Sequence, residues 1–316
     1  MAAEAHMPRR PLGSSGREVS VLSLGSWRTY ERIPREQAVG VMRAARSAGI
    51  DFLDDARYDD ETGTAPMRTG WSEVLFGELF RASGWRRDEV VIGNKLWWEF
   101  WPDQSALGEL DASLGRTGLD HLDLAYSAGL PEGLSIELAV EEIAGLLASG
   151  KLRSWGVANW TAEQLAQGTR AARALGIDPP CAVQLPYSLV SRRYVEDEAM
   201  QEALTDAGAS VVASASLAGG ALSGKYAVSR QGRLEGDLDN PTYARAFVVG
   251  DRLRTIGRRV DASPAALAYA FCLRHPSVAS VLFGATSPAH VEENVTAVEL
   301  LEHVDEETWA ELDALR

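Results

Sequence analysis

Three side chains in the first third of the chain have the types needed to move a proton together: Asp54, Tyr58 and Lys95. A phenol ionises near pH 10 and donates to a developing alkoxide more readily when a neighbouring ammonium favours its phenolate. A buried carboxylate keeps that ammonium charged. Asp54 closes the apolar run Ile50–Asp54, Lys95 stands near the end of Val90–Leu96, and Tyr58 follows Asp54 by four residues. The same residues have plainer uses, with Asp54 capping a loop, Tyr58 on an amphipathic surface and Lys95 snorkelling. Spacing alone leaves both readings standing. The acids Asp54, Asp55, Asp59, Asp60 and Glu61 offer oxygen ligands to a hard cation, but neither a His motif nor EF-hand spacing accompanies them. A hydrolase built on Asp54 and Asp55 is disfavoured, because adjacent strand residues point to opposite faces.

Other polar residues sit at the ends of apolar runs. Gly25-Ser26-Trp27, Asn159, Gln184, Ser214 to Leu217, and Gly284 to Ser287 all occupy such ends. The stretch Ala218–Lys225 matches neither the dinucleotide fingerprint nor the P-loop, yet its glycines let backbone approach an anion beside Lys225. Ser287-Pro288 opens a helix whose free N–H groups suit a phosphate.

The elements that position these residues are legible as an alternation. Apolar runs at Val19–Trp27, Ile50–Asp54, Val90–Leu96, Leu122–Ser127, Ser154–Asn159, Ala182–Tyr187, Ser210–Leu217 and Ser280–Gly284 are mostly continuous, as strands covered on both faces should be. Between them lie amphipathic stretches with visible ends. Pro34 opens a helix with Ala38, Val41, Met42 and Ala45 on one face and Gly49 past its end. Thr161 and Gln164 form a capping-box pattern flanked by Trp160 and Leu165, and Ser263-Pro264 repeats the Ser-Pro helix start. Strands alternating with helices imply right-handed βαβ units and a parallel sheet, and eight units predict a (β/α)8 TIM barrel, with an open doubly wound sheet as the rival. Residues 1–11 are expected to be a flexible arm, residues 12–316 a single barrel domain, Leu12–Ser20 a small hairpin, and Tyr226–Val249 a long connection holding a flap.

Composition narrows the partners. The chain of 316 residues carries a net charge of −14, which opposes nucleic acid, since binding it needs Lys/Arg to displace counterions. No run of about 18 apolar residues predicts a bilayer span. Cys181 and Cys272 both lie in apolar runs, so buried thiols in a reducing cytoplasm are expected rather than a disulfide.

Read together, the segments SLGSW (23–27), GIDFLDDARY (49–58), GWRRDEVVIGNKLWW (84–98), GKLRSWGVANW (150–160), VQLPY (183–187), SLAGGALSGKY (216–226) and SVLFGATSPAHVEENVTAV (280–298) resemble the aldo-keto reductases, and within them the branch of the voltage-gated potassium channel β subunits. The resemblance implies a (β/α)8 barrel with an N-terminal hairpin and an extra C-terminal helix. It further implies NADPH bound without a Rossmann domain, and reduction of an aldehyde or ketone. It makes Asp54, Tyr58 and Lys95 the catalytic set. Gly25, Ser26 and Trp27 would line the cofactor and substrate pocket, with Asn159, Gln184 and Ser214 around the nicotinamide. Leu217, Gly219 and Lys225 would cover the pyrophosphate, and Gly284, Thr286, His290, Glu293 and Asn294 the adenosine and 2′-phosphate end, with Arg230, Arg233 or Arg245 adding charge. Trp27, Tyr58, Trp97, Trp98 and the loop Asp59–Trp71 would form an apolar mouth for a bulky small-molecule carbonyl compound. The reading includes no membrane partner and allows a homo-oligomer.

The sequence also departs from that pattern. Ala128 stands where the family usually has His, Ser214 replaces an aromatic residue, Ala158 replaces a serine, and the step from Asp54 to Tyr58 is one residue short. Loss of an oxyanion-type donor costs about 10²–10³ in rate. Loss of a stacking ring costs about 1 kcal/mol. These losses slow a reductase without abolishing it. They also favour a rival, a redox-sensing module that binds NADP(H) with little catalysis.

Overall fold

The computed structural model describes residues 7–227, 229, 232 and 234–315. A two-stranded hairpin comes first, β1 (Arg9–Pro11) pairing antiparallel with β2 (Glu18–Ser20). Eight parallel strands then close into a barrel: β3 (Leu22–Gly25), β4 (Phe52–Asp54), β5 (Val91–Leu96), β6 (Leu122–Ser127), β7 (Leu152–Ala158), β8 (Ala182–Pro186), β9 (Ser210–Ser214) and β10 (Val278–Phe283). Neighbours in sequence are neighbours in space, and β10 closes on β3 through Val281↔Leu22 and Phe283↔Leu24. The apolar runs read from the sequence each contribute one strand, and every crossover carries a helix, as a parallel sheet covered on its outside requires.

The barrel interior is a packed core. Phe52, Val91, Leu124, Tyr126 and Val212 fill it, and Leu12 and Val19 from the hairpin seal its lower end with Cys181 and Ala279. Gly13 makes that seal tight: it turns with φ 50°, and a Cβ there would lie 2.1 Å from the Cys181 carbonyl oxygen. The hairpin corrects the expected arm. Met7 is buried, Arg10 Nη1 donates to the Val278 carbonyl at 2.6 Å, and Arg9–Pro11 is a strand, so the ordered body starts before Leu12.

The helices follow their signals. Arg35–Ser47 buries Ala38, Val41, Met42 and Ala45, and Gly49 takes φ 79° just beyond it. Thr161 and Gln164 close a reciprocal capping box, and Ser263 and Ser287 cap their helices with Pro at the first turn. Glu306–Ala314 is the extra C-terminal helix. The connection expected over Tyr226–Val249 is interrupted, because a 20-residue helix begins at Pro241 with Asn240 as its cap, and residues 228, 230, 231 and 233 of that stretch lie outside the described residues. Arg245 is exposed on that helix, whereas Arg230 and Arg233 lie outside the described residues. Among the described residues no helix is long and apolar enough to cross a membrane. Both cysteines are free and buried.

Candidate active site

The C-terminal ends of the barrel strands gather the chemistry-bearing side chains at one mouth. Parallel strands make this unavoidable: residues that end neighbouring strands share a rim. Asp54 ends β4 and Lys95 stands one residue from the end of β5, with Asp54 in register with Gly93. Lys95 Nζ donates to Asp54 Oδ1 at 2.6 Å and to the Asp55 carbonyl at 3.3 Å. From across the barrel, Gln184 Nε2 donates to Asp54 Oδ2 at 3.0 Å. Asp54 therefore has both oxygens engaged and is anchored against the ammonium. Lys95 Nζ also lies 5.8 Å from the Tyr58 ring centre and 5.7 Å from that of Tyr126, its register partner on β6. The Tyr126 hydroxyl lies beside Gln184 without closing a well-aligned hydrogen bond.

The four-residue step is thus long enough to bring Tyr58 to Lys95. The electrostatics, however, correct the expectation of an acidified phenol. Burial pushes the Tyr58 hydroxyl up to about 12, with Lys95 opposing and the Asp54 and Asp55 charges adding to the rise. Burial also works against the Lys95 ammonium, but Asp54 and Tyr58 outweigh it and hold that group above its ordinary value. At neutral pH the pair is a protonated phenol beside a charged ammonium. Tyr58 therefore keeps its proton beside Lys95 and is not ionised by it.

Two further carboxyls surround this set. Asp55 is fully buried on the opposite face from Asp54, takes the Ser26 hydroxyl proton in a short hydrogen bond through Oδ1, and leaves Oδ2 without a partner among the described residues. Burial first, then the nearby Glu73 charge, raises its carboxyl well above the usual range. Glu73, equally buried, accepts from Asn94 Nδ2 at 2.9 Å and pairs with Arg116. Asp55 directly follows the strand Phe52–Asp54.

The mouth is aromatic. Trp27 is 45% exposed and its ring centre lies 6.4 Å from that of Tyr58, while Trp97 stands edge-on to Tyr58 at 6.2 Å. Trp98 corrects the sequence expectation: it is 1% exposed, and its indole N–H donates to Ser127 Oγ in the core. The turn responsible is Trp98's own backbone at φ 60°, which swings its side chain inward. Among the described residues, five of the six non-glycine residues with left-handed backbone stand in the loops at this rim, namely Arg28, Trp98, Asn159, Ala215 and Ala218. Such conformations persist where surrounding structure enforces them.

The remaining predicted residues spread along the same rim. Gly25 and Ser26 are buried at the end of β3. Asn159 is exposed with φ 60°, its N–H on the Gln184 carbonyl at 3.0 Å. Ser214 and Leu217 are half-buried beside the Gly219-Gly220 turn, with Lys225 exposed just past it. Both glycines have positive φ, and a Cβ on Gly219 would meet Leu234 at 3.0 Å. Gly284 is exposed, Thr286 Oγ1 meets His290 Nδ1 at 3.1 Å, Glu293 points to solvent and Asn294 is buried. The acidic cluster disperses. Glu61 pairs with Arg28 and Arg32, and Asp60 accepts from Thr62. Among the described residues no three His, Cys, Asp or Glu side chains converge to hold a metal.

Ala128 is buried beyond the end of β6, and its carbonyl accepts the Trp160 indole N–H at 3.0 Å, so no side chain there reaches a substrate oxygen. The Asp54, Tyr58 and Lys95 set thus gains no second side-chain donor from that position.

Comparison with known proteins agrees with this geometry. A model of the aldo/keto reductase family matches residues 21–316. A probable voltage-gated potassium channel subunit beta of Oryza sativa subsp. japonica is 30% identical, the match covering 98% of this chain and 96% of the relative. The protein of the same description from Arabidopsis thaliana is 30% identical over 93% of this chain and 92% of its own. With the closed barrel, the Asp–Tyr–Lys set at its mouth and a family match over nearly the whole sequence, the chain belongs to the aldo/keto reductase family, which supports an oxidoreductase chemistry.

Proposed function

We propose that the protein is an NADPH-dependent carbonyl reductase in which Tyr58 delivers the proton. The observation that carries this reading is the gathering of Asp54, Lys95 and a protonated Tyr58 at one aromatic mouth. NADPH, when bound, supplies the hydride. Tyr58 Oη gives its proton to the carbonyl oxygen as negative charge grows there, Lys95 stabilises the phenolate left behind, and Asp54 with Gln184 holds Lys95 in place. A phenol held near 12 is protonated throughout the physiological range, which suits reduction better than alcohol oxidation.

The residues suit this cofactor at both ends. The left-handed Gly219-Gly220 turn leaves backbone without side chains beside Lys225, which supports a pyrophosphate seat. Ser287 and Pro288 start a helix whose first N–H groups, with Thr286 and His290, support a phosphate at the adenosine end. Trp27 and Trp97 favour a bulky apolar carbonyl compound.

Tyr58→Phe tests the reading. NADPH oxidation with a panel of aldehydes and ketones should fall by about 10²–10⁴-fold while NADPH still quenches tryptophan fluorescence. Unchanged turnover would remove Tyr58 from its role. Two observations favour a second reading, a cofactor-binding module with little catalysis: Ala128 offers no side-chain donor, and the relatives are named as channel subunits. Tight NADPH binding with no carbonyl consumed by the unmutated protein would select it.

A further inference from the structure

We propose that Arg57 is the positioning residue that makes the short Asp54–Tyr58 step work, by bracing the Tyr58 loop against the loop that follows Lys95. The inference rests on the reading of Tyr58 as proton donor. Arg57 lies between Ala56 and Tyr58, and both neighbours are pinned by one side chain: Ser72 Oγ donates to the Ala56 carbonyl at 2.6 Å and accepts the Tyr58 N–H at 3.0 Å. The Arg57 side chain is 7% exposed, unusual for a guanidinium on a surface loop. It turns inward and forks. Nη1 donates to Thr69 Oγ1 at 2.7 Å, Nη2 makes a short ion pair with Glu99, and Cζ lies 5.3 Å from the Phe100 ring centre.

Each arm meets a different segment. Thr69 belongs to the far side of the loop that carries Tyr58, where Asp59 bridges to Thr69 and the Gly70 N–H reaches the Tyr58 carbonyl at 3.0 Å. Glu99 and Phe100 belong to the segment leaving β5, four and five residues past Lys95. One guanidinium therefore ties the phenol's loop to the ammonium's strand. On the same side, Glu109 accepts the Trp97 and Trp98 N–H groups at 2.7 and 3.1 Å and feels the Arg57 charge, so the brace extends to the tryptophan that faces Tyr58. Planar, forked donation suits Arg and not Lys, whose single ammonium cannot span both partners.

A strut that serves only folding would affect stability and leave the chemistry alone, whereas a misplacement of about 1 Å at a reacting group costs about 10²-fold in rate. Steady-state carbonyl reduction should therefore be compared in wild type, Arg57→Ala, Arg57→Lys, Tyr58→Phe and the Arg57→Ala/Tyr58→Phe double variant, with NADPH affinity measured in each. The expected result is a fall of about 10–100-fold in kcat for Arg57→Ala with NADPH Kd held within about twofold, partial recovery in Arg57→Lys, and no further loss when Arg57→Ala is added to Tyr58→Phe. Glu99→Ala and Thr69→Ala, which keep the guanidinium and cut one arm each, carry the same comparison if Arg57→Ala does not fold. Wild-type kcat in these variants, or losses that multiply fully in the double variant, would overturn the positioning role while leaving Tyr58 as donor. Wild-type turnover in Tyr58→Phe would instead overturn the parent reading, and this one with it.

Discussion

At the scale of single residues, the site separates two neighbouring acids into opposite duties. Asp54 faces into the barrel, has both oxygens hydrogen-bonded and anchors Lys95. Asp55 faces outward, buried, with one oxygen unpartnered and its carboxyl raised by burial and by Glu73. The folded chain therefore holds the Asp55 proton more tightly than the unfolded chain, where such a group titrates near 3.9. Stability from this group is complete below about pH 3.9 and is lost as pH climbs toward the folded-state value. Asp55→Asn keeps a neutral polar group and abolishes that titration. In urea unfolding followed by fluorescence, the stability of the variant relative to wild type should grow between pH 4 and pH 8, and a difference independent of pH would show that Asp55 does not titrate as described. The shift was not legible beforehand, since an acid beside Asp54 reads as an ordinary solvated loop carboxylate until its burial is known.

At the scale of elements, the helices of the outer ring fix loops around the candidate site. Glu109, on the helix Ala106–Thr117, receives the two N–H groups of the Trp97-Trp98 corner, where Trp98 adopts its left-handed backbone. Removing that acceptor leaves buried donors unsatisfied, at a cost of about 1–3 kcal/mol. Glu109→Ala should accordingly lower the unfolding free energy by that amount and raise KM for bulky carbonyl compounds, because Trp97 loses its support beside Tyr58; a normal KM in a destabilised variant would confine Glu109 to folding. This corner also marks what the sequence could and could not reveal. The strands were legible because a parallel barrel demands continuous apolar runs, and the helix starts because Ser and Thr caps have local chemistry. Trp98 was not, since two adjacent tryptophans carry no mark of which one a positive φ will turn inward. The helix from Pro241 was signalled by Asn240-Pro241 but masked by the Gly-, Asp- and Arg-rich stretch before it. The direction of the Tyr58 shift was equally hidden, because the burial that causes it comes from loops brought together only by barrel closure.

At the scale of the whole molecule, the hairpin seal and the candidate site occupy opposite ends of the cylinder. The hairpin seals one end, with Leu12 and Val19 fully buried against Cys181 and Ala279, and the Gly13 N–H donates to Ser210 Oγ at 3.0 Å. The other end holds Asp54, Lys95, Tyr58 and the aromatic mouth, with the barrel core of Phe52, Leu124 and Tyr126 between. A closed, densely packed barrel transmits little when one end is only loosened, because its interstrand ladder has no free edge to open. Leu12→Ala leaves a cavity in the seal and should cost about 2–5 kcal/mol in unfolding free energy. Well below the lowered melting temperature, kcat and NADPH affinity should remain those of wild type. Measured together by thermal unfolding and steady-state kinetics, a loss of turnover parallel to the loss of stability at that temperature would mean that the lower end of the barrel sets the geometry of the Lys95–Tyr58 pair after all.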